Sequence, residues 1–380
     1  MPPTPNDSEW QALWRAELAA PHVRQLDAYQ PGKPVEELER ELGITGAIKV
    51  ASNENPLGPS PRALAALARA ATQLHLYPDA AGHALRHGLA ARWDVGLDRI
   101  TLGAGSNDLL YQLVLALVGP DDEVVTPALG FLSYRLAAAV AGRRFVATAA
   151  TPLGPDLDAL CAALGPRTKL VILGSPNNPT GAVLTRAQIM RVLDALPARA
   201  LLVLDEAYAE YAAAWPEVDH VDGRELIADP RVLVLRTFSK IYGLAGLRVG
   251  YGVGDPAVIE ALGRVGRTFH VGSLAQVAAL AALEDDDHIQ RSAALGRRMV
   301  EAVRAAVTEA GFTAYPSLAN FVLIDAGRPS TPIYDQLLRA GVILRPMAAW
   351  GLPTCLRVST ASDADRDRVV TTLCQALRGS

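Results

Sequence analysis

Residues 237–250 read TFSKIYGLAGLRVG, and the apolar run VLVL at 232–235 feeds into them through Arg236. A second apolar run, residues 247–253, leaves them, so the polar cluster Thr237, Ser239 and Lys240 stands where a buried strand ends. In open α/β sheets ligands gather beyond the carboxyl ends of strands. Here that edge offers two hydroxyls, one amine and, shortly after, the guanidinium of Arg248. The hydroxyls and the arginine suit a phosphate. A partly buried lysine beside another cation has its ammonium disfavoured, which makes it a nucleophilic amine able to condense with an aldehyde. Phosphate and aldehyde together specify pyridoxal phosphate. A lysine is ordinarily a solvated surface charge; this one is set apart by the close-approach stretch GLAG at 243–246, which separates it from the arginine.

At 380 residues the chain can bury a large core, and its length suits one big domain with a smaller companion. Half of it is hydrophobic, a fifth is charged and the net charge is -4, so no basic field invites nucleic acid or an anionic membrane. Cys161, Cys355 and Cys374 are distant and odd in number, which makes neither a disulfide framework nor a CxxC metal site. The N-terminus has no continuous apolar core of a signal peptide, and no apolar run reaches membrane-spanning length. The expectation is a cytoplasmic protein that binds small molecules, with no metal.

Outward from the lysine segment, further stretches carry chemistry. LLVLDEAY at 201–208 ends an apolar strand in an acid, and a buried acid needs a cationic partner. The protonated nitrogen of a pyridine ring fits Asp205, and a metal shared by Asp205 and Glu206 would lack further ligands. ITLGAGSNDLL at 100–110 reads strand, glycine turn, helix; Gly105, Ser106 and Asn107 could hold a phosphate by backbone N–H groups or simply cap the helix. KLVILGSPNNPTG at 169–181 is a strand running into a turn bracketed by Pro176 and Pro179, with Asn178 in it. Phe131 and Tyr134, after the strand at 123–127, read as core aromatics. Arg357, among apolar neighbours in CLRVS, could fork a carboxylate, and Arg345 stands in GVILRP.

The remaining pattern is structural. Trp10, Leu13, Trp14 and Leu18 share a helix face, with Ser8 as its cap. Two prolines and a glycine keep residues 26–36, LDAYQPGKPVE, out of a helix, so Tyr29 either reaches across a site or packs on a neighbour. His83 and His87 are one helical turn apart but have no third ligand in view. Residues 63–71, 261–282 and 289–310 read as helices. Asp285, Asp286 and Asp287 read as a solvated charge run opening the last of them, and residues 321–325, 342–345 and 356–359 as short strands of a mixed α/β cap.

The segment 239–250, S-K-x-x-G-L-A-G-x-R-x-G, resembles the lysine motif of the fold-type I pyridoxal phosphate aminotransferases and stands complete. SNENPLGPSP at 52–61 and the preceding Y-x-P-G-K-P at 29–34 are similar to the histidinol-phosphate aminotransferase branch. The resemblance implies an α/β fold: a large domain at 45–280 with a mostly parallel, seven-stranded sheet, and a small domain from 1–44 and 281–380. It implies that Lys240 carries pyridoxal phosphate, that Gly105, Ser106, Asn107, Thr237, Ser239 and Arg248 hold its phosphate, and that Phe131 lies on its ring. Asn178 and Tyr208 would bond its phenolic oxygen and Asp205 its ring nitrogen. Tyr77, in Tyr77-Pro78-Asp79, would reach the phosphate of a neighbouring subunit, which implies a homodimer with shared sites. Arg357 would clamp a carboxylate, and Asn53, Arg345 and Tyr29 would bind substrate, the last two gripping its phosphate. The implied reaction is transamination of the phosphorylated amino alcohol histidinol phosphate with the 2-oxo acid 2-oxoglutarate, in histidine biosynthesis. Ser359-Thr360-Ala361-Ser362 and Ala348-Ala349-Trp350 depart from the pattern. They keep an aromatic amino acid aminotransferase open as an alternative, and a phospho-amino-acid decarboxylase shares the scaffold.

Overall fold

The computed structural model describes residues 7–13, 17, 20–24, 26 and 32–379. Seven strands form the main sheet in the order Ile100–Gly103, Gly250–Val253, Val232–Thr237, Leu201–Asp205, Thr168–Gly174, Glu123–Pro127, Arg144–Thr148. Gly250–Val253 runs antiparallel to both its neighbours, and the other pairings are parallel. This is the mostly parallel α/β sheet expected from the near-continuous apolar strands, which are buried on both faces. Alternation divides the two faces. Val232 and Val234 join Val171, Leu173, Leu202 and Leu204 in one core. Leu233 and Leu235 join Leu170, Ile172, Leu109 and Leu113 in the other.

The register brings the functional strand ends level: Gly174 pairs with Asp205, and Asp205 with Leu235, two residues short of Thr237. The helix Ser106–Leu117 begins at the same edge. Local sequence sets the flanking helices. Pro61–Ala70 starts with Pro in its first turn, and the Ser60 side chain accepts from the Ala63 N–H at 3.1 Å. Arg186–Ala195 starts with a capping box in which Thr185 and Gln188 satisfy each other's backbone N–H groups.

A second sheet of four antiparallel strands, Thr313–Ala314, Phe321–Asp325, Cys355–Ser359 and Arg345–Pro346, packs under the helices Asp286–Glu309, Ser330–Arg339 and Arg366–Arg378. The expected strand over 342–345 is divided: Val342–Ile343 pairs in parallel with Ile48–Lys49, while Arg345 crosses to the four-stranded sheet. Leu344 lies between, buried in the small core.

Two local expectations are corrected. Ser8 lies inside the helix Asp7–Leu13, so it does not cap it, and Trp10 and Leu13 are exposed; Trp14 and Leu18 lie outside the described residues. Asp285 is not solvated: it is buried and accepts from the His288 N–H at 3.3 Å as the cap of Asp286–Glu309, where an acid also favours the positive helix end. Asp286 and Asp287 are exposed.

Candidate active site

A cavity of about 190 Å³ opens at the carboxyl edge of the main sheet, beneath the four-stranded sheet. Its wall contains Asn53, Ser106, Asn107, Phe131, Asn178, Asp205, Tyr208, Thr237, Ser239, Lys240, Arg248, Arg345 and Arg357. Residues as far apart in the chain as Asn53 and Arg357 meet because parallel strands deliver their ends to one edge and the chain returns through the cap.

Lys240 follows the Val232–Thr237 strand in a turn closed by the Gly243 N–H donating to the Lys240 carbonyl at 3.0 Å. Gly243 has φ +69°, and a Cβ there would fall 2.1 Å from the Gly58 carbonyl oxygen. Gly243 is thus required by the close approach of the 237–250 segment to the 52–61 segment, while Gly58 is favoured by its own φ of +68°. Lys240 Nζ donates to the Ser52 carbonyl at 3.1 Å. Burial first, then the charge of Arg357, pulls the Lys240 amine down to about 8, with Arg248 adding to the effect and Glu54 and Asp205 opposing it.

At one end of the cavity stand donors. The helix Ser106–Leu117 points its N-terminus at Arg248 across Gly105, whose φ is +86° and whose absent Cβ would lie 2.6 Å from the guanidinium. Arg248 donates to Ser239 Oγ at 3.2 Å, and the Ser239 N–H donates to Thr237 Oγ1 at 3.1 Å. Free helix amides, hydroxyls and an arginine together make an anion cradle.

At the other end lies an acid. Asp205 is buried; its Oδ2 accepts from the Tyr134 hydroxyl at 2.9 Å and its Oδ1 from the Ala207 N–H at 3.2 Å. Burial pushes the Asp205 carboxyl up, and the Tyr134 and Ala207 bonds pull it back. The Tyr134 phenol is held well above its usual range by burial and by that carboxylate, so it is the donor of the pair. These residues fit pyridoxal phosphate: a donor cradle for the phosphate, a low-pKa amine for the aldehyde and a buried carboxylate for a protonated ring nitrogen.

On the cap side Arg345 and Arg357 are direct partners in antiparallel register. Like charges opposite each other disfavour a sheet, so the pair calls for anions in the cavity. Arg357 donates to the Ala51 carbonyl at 2.8 Å and to Asn178 Oδ1. Tyr208 Oη accepts from Asn53 Nδ2 at 2.8 Å. Tyr77 does not line the cavity; it is 82% exposed and stacks on Phe269 with ring centres 4.7 Å apart. Tyr29 lies outside the described residues.

Several residues at the site escaped the sequence. Tyr134 read as a core aromatic, and nothing local marks its bond to Asp205. Ser359 and Asn320 brace Asn53, whose φ is +57°: the Asn53 N–H donates to Ser359 Oγ at 3.0 Å and Asn320 Nδ2 donates to the Asn53 carbonyl at 3.1 Å. Glu206 faces Arg236 rather than the cavity. Its Oε2 accepts from Arg236 at 2.7 and 2.9 Å, and Asp222 accepts from the same guanidinium at 2.8 Å. A buried cation next to strand-end acids was the available signal. Among the described residues no group of three His, Cys, Asp or Glu is placed to hold a metal. His83 and His87 face each other with Nε2 atoms 2.9 Å apart. No helix among the described residues is long and apolar enough to cross a membrane.

The family described as Aminotransferase class I and II matches residues 45–373. A histidinol-phosphate aminotransferase of Anaeromyxobacter sp. (strain Fw109-5) is 44% identical over 358 residues, 94% of this chain and 98% of that one. Histidinol-phosphate aminotransferase 1 of Nitrosococcus oceani is 43% identical over 94% of this chain and 96% of that one. Among solved structures, the histidinol-phosphate aminotransferase of Sinorhizobium meliloti in complex with pyridoxal-5'-phosphate superimposes with a TM-score of 0.85 at 32% identity, covering 96% of this chain and 98% of that one. Aspartate aminotransferase from Thermus thermophilus with maleate shares the fold, with a TM-score of 0.81 at 23% identity over 94% of this chain and 99% of that one.

Proposed function

Because the chain belongs to the class I and II aminotransferases, we propose that it transfers the amino group of histidinol phosphate to 2-oxoglutarate, yielding imidazole-acetol phosphate and glutamate in histidine biosynthesis. It is a pyridoxal phosphate-dependent enzyme acting on small molecules. The observation that carries the substrate is the facing pair Arg345 and Arg357 in the cavity wall, two cations on one side of the lysine. Relatives named for histidinol phosphate over nearly the whole chain support it.

The arrangement of the cavity supports the following roles. Pyridoxal phosphate, when bound, supplies an electron sink for the carbon that bears the substrate amine. Gly105, Ser106, Asn107, Thr237, Ser239 and Arg248 would hold its phosphate, Asn178 and Tyr208 its phenolic oxygen, Asp205 its ring nitrogen, and Phe131 its ring face. Lys240 Nζ would hold the aldehyde and would take the proton from the amine-bearing carbon; burial and the charge of Arg357 favour its neutral, proton-accepting form. Arg345 grips the substrate phosphate together with Tyr29, Asn53 lies along the substrate, and Arg357 clamps the carboxylate of glutamate. We take residues 45–280 as the body that carries the cofactor and 1–44 with 281–380 as its cap. The exposed Leu74, Leu76 and Tyr77 support a homodimer in which Tyr77 reaches the partner's phosphate cradle, and we place the enzyme in the cytoplasm.

An aromatic amino acid aminotransferase is the second reading; it would require the Trp350 ring in the cavity wall to stack on a substrate ring instead of shutting it out. Steady-state turnover of histidinol phosphate beside phenylalanine, both with 2-oxoglutarate, decides between them. A higher kcat/KM for the phosphate ester upholds the proposal, and a higher value for phenylalanine replaces it.

A further inference from the structure

The short helical turn Ala348–Trp350 lies between the strand of Arg345 and the strand of Arg357. Its end is fixed: the Trp350 N–H donates to the Met347 carbonyl at 2.9 Å, and Gly351, at φ +76°, stops the turn. The indole is 7% exposed and packs with Leu323, Met347 and Cys355. Among the described residues its Nε1 meets no hydrogen-bond partner. A buried donor without a partner is unfavourable, so what the position uses is the ring and its area.

That ring has two functional neighbours. The Arg345 guanidinium carbon lies 5.7 Å from its centre, within reach of a cation–π contact. Behind it, a separate cleft of about 510 Å³ is lined by Leu132, Arg135, Phe145 and Ala147. Trp350, with Phe131 and Tyr134, walls both that cleft and the cavity of Lys240. Phe131 and Tyr134 come from the large sheet's side, so Trp350 is the cap's share of the partition.

We propose that Trp350 is a specificity-determining residue: its face positions the Arg345 fork, and its bulk closes the active cavity against the neighbouring cleft, excluding large aromatic substrates. The first half rests on the reading that Arg345 grips a substrate phosphate. The second half does not.

Three variants separate face, bulk and N–H. Trp350→Phe keeps a ring and lacks the N–H, so KM for histidinol phosphate should stay within about threefold of the parent. Trp350→Leu keeps bulk without a π-face; KM for histidinol phosphate should rise about five- to tenfold, with kcat little changed and phenylalanine still poorly used. Trp350→Ala has neither, and kcat/KM for phenylalanine relative to glutamate should rise at least tenfold as the two spaces join. Retained cofactor absorbance and an unchanged unfolding midpoint certify each fold, and should Trp350→Ala fail them, Trp350→Val takes its place. Equal kinetics for the Phe, Leu and small-residue variants would overturn the proposal, as would a phenylalanine preference unmoved by the small residue. A parent enzyme inert toward histidinol phosphate would refute the substrate reading and the Arg345 half, while the phenylalanine-to-glutamate ratio would still judge the partition.

Discussion

Ser359 and Asn53 hold each other by two hydrogen bonds: the Asn53 N–H donates to Ser359 Oγ at 3.0 Å, and the Ser359 hydroxyl donates to Asn53 Oδ1 at 2.7 Å. Both residues are buried, and Asn53 sits in the left-handed region at φ +57°, a conformation non-glycine residues seldom hold unaided. Ser359→Ala removes both bonds and leaves a buried N–H unsatisfied. Unfolding by urea should show a loss of about 1–3 kcal/mol. Because Asn53 also supports Tyr208 at 2.8 Å, KM for both substrates should rise as well; unchanged stability and kinetics would contradict the brace.

The Tyr134 phenol is the side-chain donor to Asp205 Oδ2. Phenylalanine at this position would keep the packing and leave a buried carboxylate oxygen short of one bond. Hydrogen bonds to charged groups are worth about 1.5–3 kcal/mol, so kcat of Tyr134→Phe should fall roughly ten- to a hundredfold. The two KM values should move little, and the cofactor should dissociate faster. A wild-type kcat would remove Tyr134 from the site.

Lys240→Ala should abolish turnover and the visible absorbance that pyridoxal phosphate acquires on bonding to the protein; a variant retaining both would end the assignment. The pH dependence has a definite sign. The neutral amine is the nucleophile, so covalent capture of pyridoxal phosphate by the cofactor-free enzyme should accelerate as pH rises and level off above about 8. Stopped-flow absorbance across pH 6 to about 10 would test it. A midpoint at the ordinary lysine value would mean that burial and Arg357 do not govern this amine.

Arg345→Ala should raise KM for histidinol phosphate by roughly tenfold or more, as expected for a charge-assisted contact of about 1.5–3 kcal/mol. The effect on glutamate should be far smaller. Equal effects on both substrates would show that Arg345 is a general anion attractor.

The exposed patch of Leu74, Leu76 and Tyr77 predicts concentration-dependent assembly. Leu76→Lys should shift sedimentation toward a single chain and weaken cofactor affinity together, because the partner's Tyr77 would be lost with the contact. Loss of assembly with unaltered cofactor binding would separate Tyr77 from the phosphate.

What could be read from the sequence was what lies contiguous in it. Strand, glycine turn and helix at 100–110, the acid ending 201–205 and the lysine segment each carry their own address, since a buried strand must deposit its polar end at the ligand edge. Relationships between segments were hidden. The facing of Arg345 and Arg357 depends on antiparallel register, which no periodicity in 342–345 or 356–359 reveals. Tyr134 looks like any core aromatic until the Leu201–Asp205 strand is set beside its helix. Ser359 read only as a departure from a pattern, yet it is half of the Asn53 brace. The acids at 285–287 read as solvent-facing because composition cannot tell a cap from a surface run.

The one reversed strand of the main sheet explains why the lysine segment could be recognised at all. Gly250–Val253 runs against Val232–Thr237, with Gly250 beside Thr237. A strand entered from that edge has its ligand at its beginning, so Arg248 precedes it just as Ser239 and Lys240 follow the other. The cavity-lining Thr237, Ser239, Lys240 and Arg248 therefore fall within a dozen residues, joined by one loop. With all seven strands pointing the same way, the arginine would have to arrive from a remote part of the gene. The signature would dissolve into scattered letters, and insertions between them would be free to accumulate. Instead a single short loop carries the amine and the arginine to the same edge of the sheet.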